Sequence, residues 1–119
     1  MSTPRSSRDD DFGPNFPGYE WKHCDDASPR EIFPGITSRS LWQGRNGAHA
    51  VLIEIAPGAA WGTVDHHCPG PEEVYVSAGV FNDGVRDYPA GTFLHAPAGS
   101  RHIPQSQTGC TLFVFYPES

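Results

Sequence analysis

Residues 91–106 read GTFLHAPAGSRHIPQS, and this stretch decides the fold class. Two short runs of apolar and β-forming residues lie within it, separated by a turn of Pro and Gly at 97–99. Runs of this length, bounded by Gly or Pro, are typical of β-strands rather than helices. The stretch therefore predicts two short strands, 92–96 and 102–105, joined by a tight turn.

The same pattern of short apolar runs bounded by turn residues extends in both directions along the chain. From position 36 onward, short apolar segments alternate with turn residues at the spacing of about 8 to 12 residues that is typical of all-β proteins. Further strands are predicted at 37–43, 49–55, 63–67, 73–81, 86–88 and 111–116. Asn82, Asp83 and Gly84 predict a hairpin turn, and only 28–31 predicts a helical turn. Antiparallel strands of this number and length predict a sandwich, barrel or jelly roll.

Length and composition predict a single domain. The chain has 119 residues, enough for one core, and its 13 Gly and 12 Pro favour turns over helices. Residues 1–18 predict an extended arm rich in Pro and Gly, either free or docked through its aromatic side chains. Residues 19–119 are predicted to form the β-barrel domain.

Charge and cysteine content exclude several classes of protein. The net charge is −6 and Lys22 is the one lysine, so no basic stripe exists for nucleic acid. No apolar run approaches the roughly 20 residues of a membrane span, and residues 1–11 are too polar for a signal peptide. Three cysteines at irregular spacing predict no disulfide framework. We therefore expect a cytoplasmic protein.

Two motifs with regular internal spacing give more specific evidence about the fold and the site. In the second, five residues separate Gly91 from Pro97, one separates Pro97 from Gly99, two precede His102, and three more lead to Ser106. This pattern resembles the second motif of the cupin family, which commonly has Asn at the last position.

The first motif carries more of the chemistry. His66, Cys68, Glu72 and Gly79 resemble the first cupin motif, HxHxxxE followed by six residues and Gly, with cysteine in place of the second histidine. The glycine that the family has upstream is replaced by Ala60. The resemblance implies an all-β cupin jelly-roll barrel, closest to the ChrR-type cupin domain of zinc anti-sigma factors and to stand-alone dioxygenase-like relatives.

The motifs predict a metal site at the centre of the barrel. Because side chains alternate along a strand, His66 and Cys68 are expected to point inward and His67 outward. With Glu72 and His102 they would supply donors for one divalent transition metal, Fe(II) or Zn(II) before Mn or Ni. Two alternatives stay open: Cys68 is a bystander beside a set of two histidines and one carboxylate, or a bulge turns His67 inward.

Other residues are candidates for the pocket around the metal. We expect His95 to act as a general base or to orient a metal ligand. Trp61, Tyr75, Phe93 and Phe113 are expected to wall the substrate pocket, although aromatic residues in barrels often only fill the core.

The resemblance implies a metal-dependent enzyme acting on a small carbonyl or enol substrate, with dioxygenase chemistry foremost and zinc-type lyase, isomerase or cyclase chemistry as a variant. The alternative is a non-catalytic cupin that binds metal or senses a small molecule. A barrel with a degenerate site is a third possibility, because Cys68 and Ser106 depart from the motifs. Exposed sheet edges and the aromatic arm predict a homodimer.

Overall fold

A computed structural model describes residues 18–119, which form an almost purely β structure. The eleven strands are β1 Arg30–Phe33, β2 Ile36–Gln43, β3 His49–Ile55, β4 Ala59–Ala60, β5 Asp65–His66, β6 Glu72–Asn82, β7 Asp87–Pro89, β8 Phe93–Ala96, β9 Arg101–His102, β10 Gln105–Ser106 and β11 Cys110–Tyr116. Two short 3-10 turns, Cys24–Asp26 and Arg45–Gly47, complete the described elements.

The strands wrap into a nearly closed jelly-roll barrel, as predicted. The main sheet runs β1-β2-β3-β11-β6-β10-β4, with β7 and β8 also paired to β6, and all pairs are antiparallel. The long β6 changes partners near Gly79, whose φ of +74° places its Cα against the Gly109 carbonyl. A side chain at this bend would meet that backbone, so glycine is required there.

Alternation along the strands sets which side chains fill the barrel. In β11, Cys110, Leu112 and Val114 are buried, and in β6, Val74 and Val76 lie opposite two of them. Nine buried residues form one core cluster. The inner face of the barrel is therefore dry and apolar, which makes any polar group on it conspicuous.

Most predicted strands are confirmed, but two regions differ. The predicted helical turn at 28–31 is wrong: Arg30–Phe33 is a strand paired with β2, because its backbone groups find partners in that sheet. A 3-10 turn lies earlier, at Cys24–Asp26, where the amide of Asp25 donates to the His23 ring at 3.0 Å. Predicted strand 102–105 is split into β9 and β10.

Some predictions from the sequence lie beyond what the fold tests. The arm at 1–18 falls outside the described residues except for Gly18, and the homodimer stays a prediction. All three cysteines are free, which confirms that there is no disulfide framework. In residues 18–119 no helix is long and apolar enough to cross a membrane.

Candidate metal centre

The small sheet of β5 and β9 decides which donors face the barrel interior. Asp65 lies opposite His102, and His66 lies opposite Arg101. Because directly opposed residues share a face, Asp65 and His102 point the same way and His66 points away from them. Alternation then turns His67 inward.

The predicted orientation of this segment is therefore wrong by one residue. His67 is 5% exposed, whereas His66 and Cys68 are exposed at the surface. The alternation itself holds, and no bulge is involved; only the face was misassigned. The residues that the structure brings together are Asp65, His67, Glu72 and His102.

The four side chains present their donor atoms to one point. His102 Nε2 lies 3.0 Å from Asp65 Oδ2, and His67 Nε2 lies 3.1 Å from His102 Nε2 and 3.3 Å from Glu72 Oε1. The separations between His67 and Asp65 and between His102 and Glu72 are both 3.6 Å. One donor atom from each residue lies within 4.8 Å of the others.

This arrangement fits a divalent metal ion. Nitrogen and oxygen ligands sit about 2.0–2.2 Å from such an ion, so neighbouring ligands lie about 2.8–3.6 Å apart, as these do. Two neutral imidazoles and two carboxylates balance a charge of +2. Glu72 is 4% exposed, and a carboxylate so deeply buried needs a compensating cation.

The turn at 97–99 holds His67 in place. The Ser100 hydroxyl donates to the Pro97 carbonyl at 2.6 Å, so it accepts from His67 Nδ1 at 2.8 Å. The His67 backbone also donates to Ser100 and accepts from Gly99. With Nδ1–H committed to Ser100, Nε2 presents its lone pair to the cluster, the arrangement by which an outer hydrogen bond orients a metal-ligating histidine.

Two groups at the cluster have perturbed pKa values. When Nε2 carries a proton, its hydrogen bond to Glu72 favours the charged ring and raises the pKa of His67 above its ordinary value, although burial acts in the opposite direction. Burial, reinforced by the negative charge of Glu72, raises the pKa of the Tyr116 hydroxyl. Tyr116 therefore stays protonated beside the cluster and acts there as a hydrogen-bond donor.

Two spaces adjoin the cluster, and they differ in polarity. A cavity of about 20 Å³, room for one water, is lined by Ile53, Trp61, Asp65, Glu72, Phe81, His102, Pro104, Leu112, Val114 and Tyr116. A polar cleft of about 110 Å³ is lined by His49, Asp65, His66, His67, Cys68, Gly70, Glu72, Tyr116, Glu118 and Ser119. Asp65, Glu72 and Tyr116 border both.

Only one of the four predicted pocket aromatics lines the inner cavity. Trp61 does so, with its ring 5.1 Å from that of Phe33. Tyr75, Phe93 and Phe113 lie on the outer face and are 45%, 63% and 40% exposed, so their predicted position is wrong. Because Val74 is buried, its neighbour on the strand must point outward, and Phe93 and Phe113 oppose Tyr75 on that face.

The predicted position of His95 near the metal is also wrong. His95 lies opposite Glu73 on the outer face, and its Nδ1 is 2.7 Å from Glu73 Oε1. Glu73 follows the inward Glu72, so the pair is directed away from the cluster.

Sequence reasoning missed Asp65, Ser100 and Tyr116 as parts of the site. Asp65 is not among the ligands predicted from the sequence, yet it lies two positions before an inward histidine. That spacing is a usable signal, because residues i and i+2 of a strand share a face. Ser100 and Tyr116 have no comparable signal, since only the closed barrel brings them to the cluster.

Comparisons with known proteins agree with the fold. Among curated proteins, none matches the chain. The family model described as the ChrR cupin-like domain matches residues 20–118.

Three solved structures are similar. An RmlC-like cupin from Shewanella frigidimarina has 26% identity and a TM-score of 0.71, with 84% of this chain and 92% of that chain covered. KdgF from Halomonas has 20% identity, a TM-score of 0.69 and coverages of 85% and 96%. The Rhodobacter sphaeroides complex of SigE with the anti-sigma ChrR has 25% identity, a TM-score of 0.67 and coverages of 78% and 50%.

Proposed function

The chain belongs to the ChrR cupin-like family, and we propose that it is a metal-dependent enzyme that acts on a small substrate with a carbonyl or enol oxygen. One observation carries the proposal: two imidazoles and two carboxylates converge on one point, with donor atoms 3.0 to 3.6 Å apart. Such a set fits one divalent transition metal, Fe(II) or Zn(II) before Mn or Ni.

His67, Glu72 and His102 would hold the ion, since they form a set of two histidines and one carboxylate that leaves coordination positions open. When bound, the metal would polarise a substrate oxygen as a Lewis acid, and Fe(II) would add redox chemistry with dioxygen. The dioxygenase-like relatives that the sequence motifs resemble support the second of these.

Asp65 is the residue best placed to move a proton. Its side chain is 27% exposed and borders the polar cleft, whereas the Glu72 side chain is only 5% exposed. A substrate in the cleft would therefore meet the Asp65 carboxylate, which can accept a proton from an enolisable carbon or hydroxyl. On the opposite side, Trp61, Phe81 and Leu112 give the small inner cavity an apolar wall.

The cleft bounds the substrate. Its volume of about 110 Å³ is well below the roughly 300 Å³ at which drug-sized pockets begin. Histidines, carboxylates and a thiol form most of its lining, so the substrate is expected to be small and polar.

Metal analysis followed by turnover tests the proposal. Protein purified without a polyhistidine tag or chelator is expected to hold about one transition-metal ion per chain. Oxygen uptake is then measured with diketones and phenolic ketones, and ketonisation or lyase products are followed for the zinc form. Asp65→Asn should reduce kcat by about 100-fold or more if Asp65 is the base. Metal-loaded protein with no turnover on any such substrate would contradict the enzymatic proposal.

A second candidate, a non-catalytic metal-binding or sensing domain, has its own supporting observation. All four donors come from the protein, and two of them are buried, as in closed structural metal sites. One similar structure also contains an anti-sigma protein, ChrR. The absorption of the Co(II)-substituted protein separates the candidates: a four-coordinate tetrahedral site absorbs strongly in the visible region, whereas a six-coordinate site with water in its open positions absorbs weakly.

We also propose a cytoplasmic location. Cys24, Cys68 and Cys110 are all free thiols, and Cys68 is exposed, which suits a reducing compartment. Cell fractionation with an antibody to the chain tests this, and recovery outside the cytoplasm would contradict it.

A further inference from the structure

Three side chains with nitrogen or sulphur donors lie beside the cluster but outside it. His49, His66 and Cys68 line the polar cleft together with Asp65, His67 and Glu72. His66 and Cys68 are exposed, so the cleft connects solvent to the inner donors. The cavity on the other side of the cluster is walled mainly by apolar side chains, a poor route for a hydrated cation.

Hydrogen bonding and stacking fix the orientation of His49 beside the cleft. His49 Nδ1 is 2.7 Å from the Gly47 carbonyl, so it donates there and leaves Nε2 with the free lone pair. The His49 ring also stacks on Tyr116 at 4.4 Å, and Tyr116 borders both the cleft and the inner cavity. His49 therefore lies one ring away from the inner cluster.

The outer donors do not form a metal site of their own. Within the described part of the chain, the groups whose donors all approach within 4.8 Å are the inner cluster and the exposed His23, Cys24 and Asp25. Nitrogen and sulphur donors attract the same transition metals as the inner set, but donors this far apart would bind an ion with few ligands at a time and release it readily.

From this placement, and resting on the proposed function, we propose that His49, His66 and Cys68 form a loading site that captures the divalent ion and passes it inward to His67, Glu72 and His102. Capture raises the local concentration of the ion next to the buried donors, so the transfer becomes intramolecular. The loading site changes how fast the centre fills and leaves its final affinity unchanged.

The test is the rate at which the full-length protein, freed of metal with a chelator, takes up Co(II) in a stopped-flow experiment read by visible absorption. Wild type is expected to show a rate that levels off with Co(II) concentration, because capture precedes transfer. The double variant His66→Ala/Cys68→Ser should reach the same final absorbance with a rate about tenfold lower and linear in concentration.

The matched control is His95→Ala, which removes one exposed histidine away from the cleft and should load as wild type does. An unchanged rate in the cleft variant would overturn the loading site. A lower final absorbance would also overturn it, because His66 or Cys68 would then be ligands of the centre. If the double variant fails to fold, the single variants His66→Gln and Cys68→Ala are tested instead, by the same uptake rate and final absorbance.

A failure of the proposed function can be distinguished from a failure of the loading site. If wild-type protein takes up no Co(II), the metal centre itself is absent, and both proposals fall before any variant is compared.

Discussion

The segment 65–68 presents two potential metal donors on each of its faces, and the two faces differ in how they are held. Asp65 and His67 face inward, and His67 is fixed by hydrogen bonds with Gly99 and Ser100. His66 and Cys68 have donors of equal or greater intrinsic affinity for transition metals, yet they lie exposed in a cleft. Preorganisation by the barrel, rather than donor type, distinguishes a metal centre from its surroundings.

The largest effect is expected from removing one histidine of this segment and sparing its neighbour. His67→Ala should lower metal affinity by more than about 100-fold, because losing a ligand costs more than losing its outer hydrogen bond. His66→Ala should leave equilibrium affinity within about twofold. Titration against a competing chelator measures both, and equal losses in the two variants would show that the faces are not distinct.

A second pair of variants extends the comparison to the whole sheet. Leu112 is 3% exposed on the inner face of β11, and its neighbour Phe113 is 40% exposed on the outer face. Leu112→Ala should lower the free energy of unfolding by about 3 kcal/mol, and Phe113→Ala by about 1 kcal/mol or less. Urea unfolding of the isolated variants gives both values. A larger loss for Phe113→Ala would mean that the outer face is covered in solution.

How far the sequence predicts this molecule can be judged from the same residues. Turn spacing predicted β3 at its observed bounds, and the Asn82–Gly84 signal predicted the hairpin in which the Gly84 amide donates to Asn82. Period-two patterns define strands well. They did not reveal Arg30–Phe33 as a strand, because Ser28, Pro29 and Glu31 also fit the start of a helix.

Which face of a short strand points into the barrel is harder to predict than where the strand lies in the sequence. Either face of Asp65–Cys68 offers two plausible ligands, so alternation alone cannot choose between them. The choice is made by the pairing of Asp65 with His102 across β5 and β9, a contact between residues far apart in sequence. Phe93 and Phe113 were misplaced for the same reason, but alternation from the inward Glu72 is enough to place Tyr75 outward. Glu72 and His102 were predicted as site residues.

A weaker effect is expected at the hydroxyl that orients His67. Ser100→Ala removes the acceptor of the His67 Nδ1 proton and should lower metal affinity by about tenfold. Ser77→Ala is the matched control, since the Ser77 hydroxyl donates only to the Thr111 carbonyl on the exposed side of β6. Chelator competition again provides the measurement. A Ser100→Ala protein with wild-type affinity would show that the turn at 97–99 does not position the ligand.

The smallest effect is expected on stability, from a change at Asp83 in the hairpin that follows β6. Burial acts to raise the pKa of Asp83, but hydrogen bonds from Tyr88 and from the Arg86 and Val85 amides outweigh it and leave that pKa below its ordinary value. The ionised carboxylate therefore stabilises the fold above pH about 4, and this contribution is lost as the pH falls through the lowered pKa.

Asp83→Asn should accordingly lower stability by about 1 kcal/mol at neutral pH, and its difference from wild type should shrink on acidification. Urea midpoints measured across the acidic range check this. A difference that grows as the pH falls would contradict the assigned direction. Metal affinity should stay unchanged, because the hairpin does not touch the inner cluster.

X-ray absorption spectroscopy of the metal-loaded, untagged protein tests the central claim most directly. If the inner face of segment 65–68 supplies the ligands, the spectrum contains only nitrogen and oxygen neighbours at about 2.0–2.2 Å, including the scattering pattern of two imidazoles. A sulphur neighbour at about 2.3 Å would place Cys68 on the metal and reverse the assignment of the two faces.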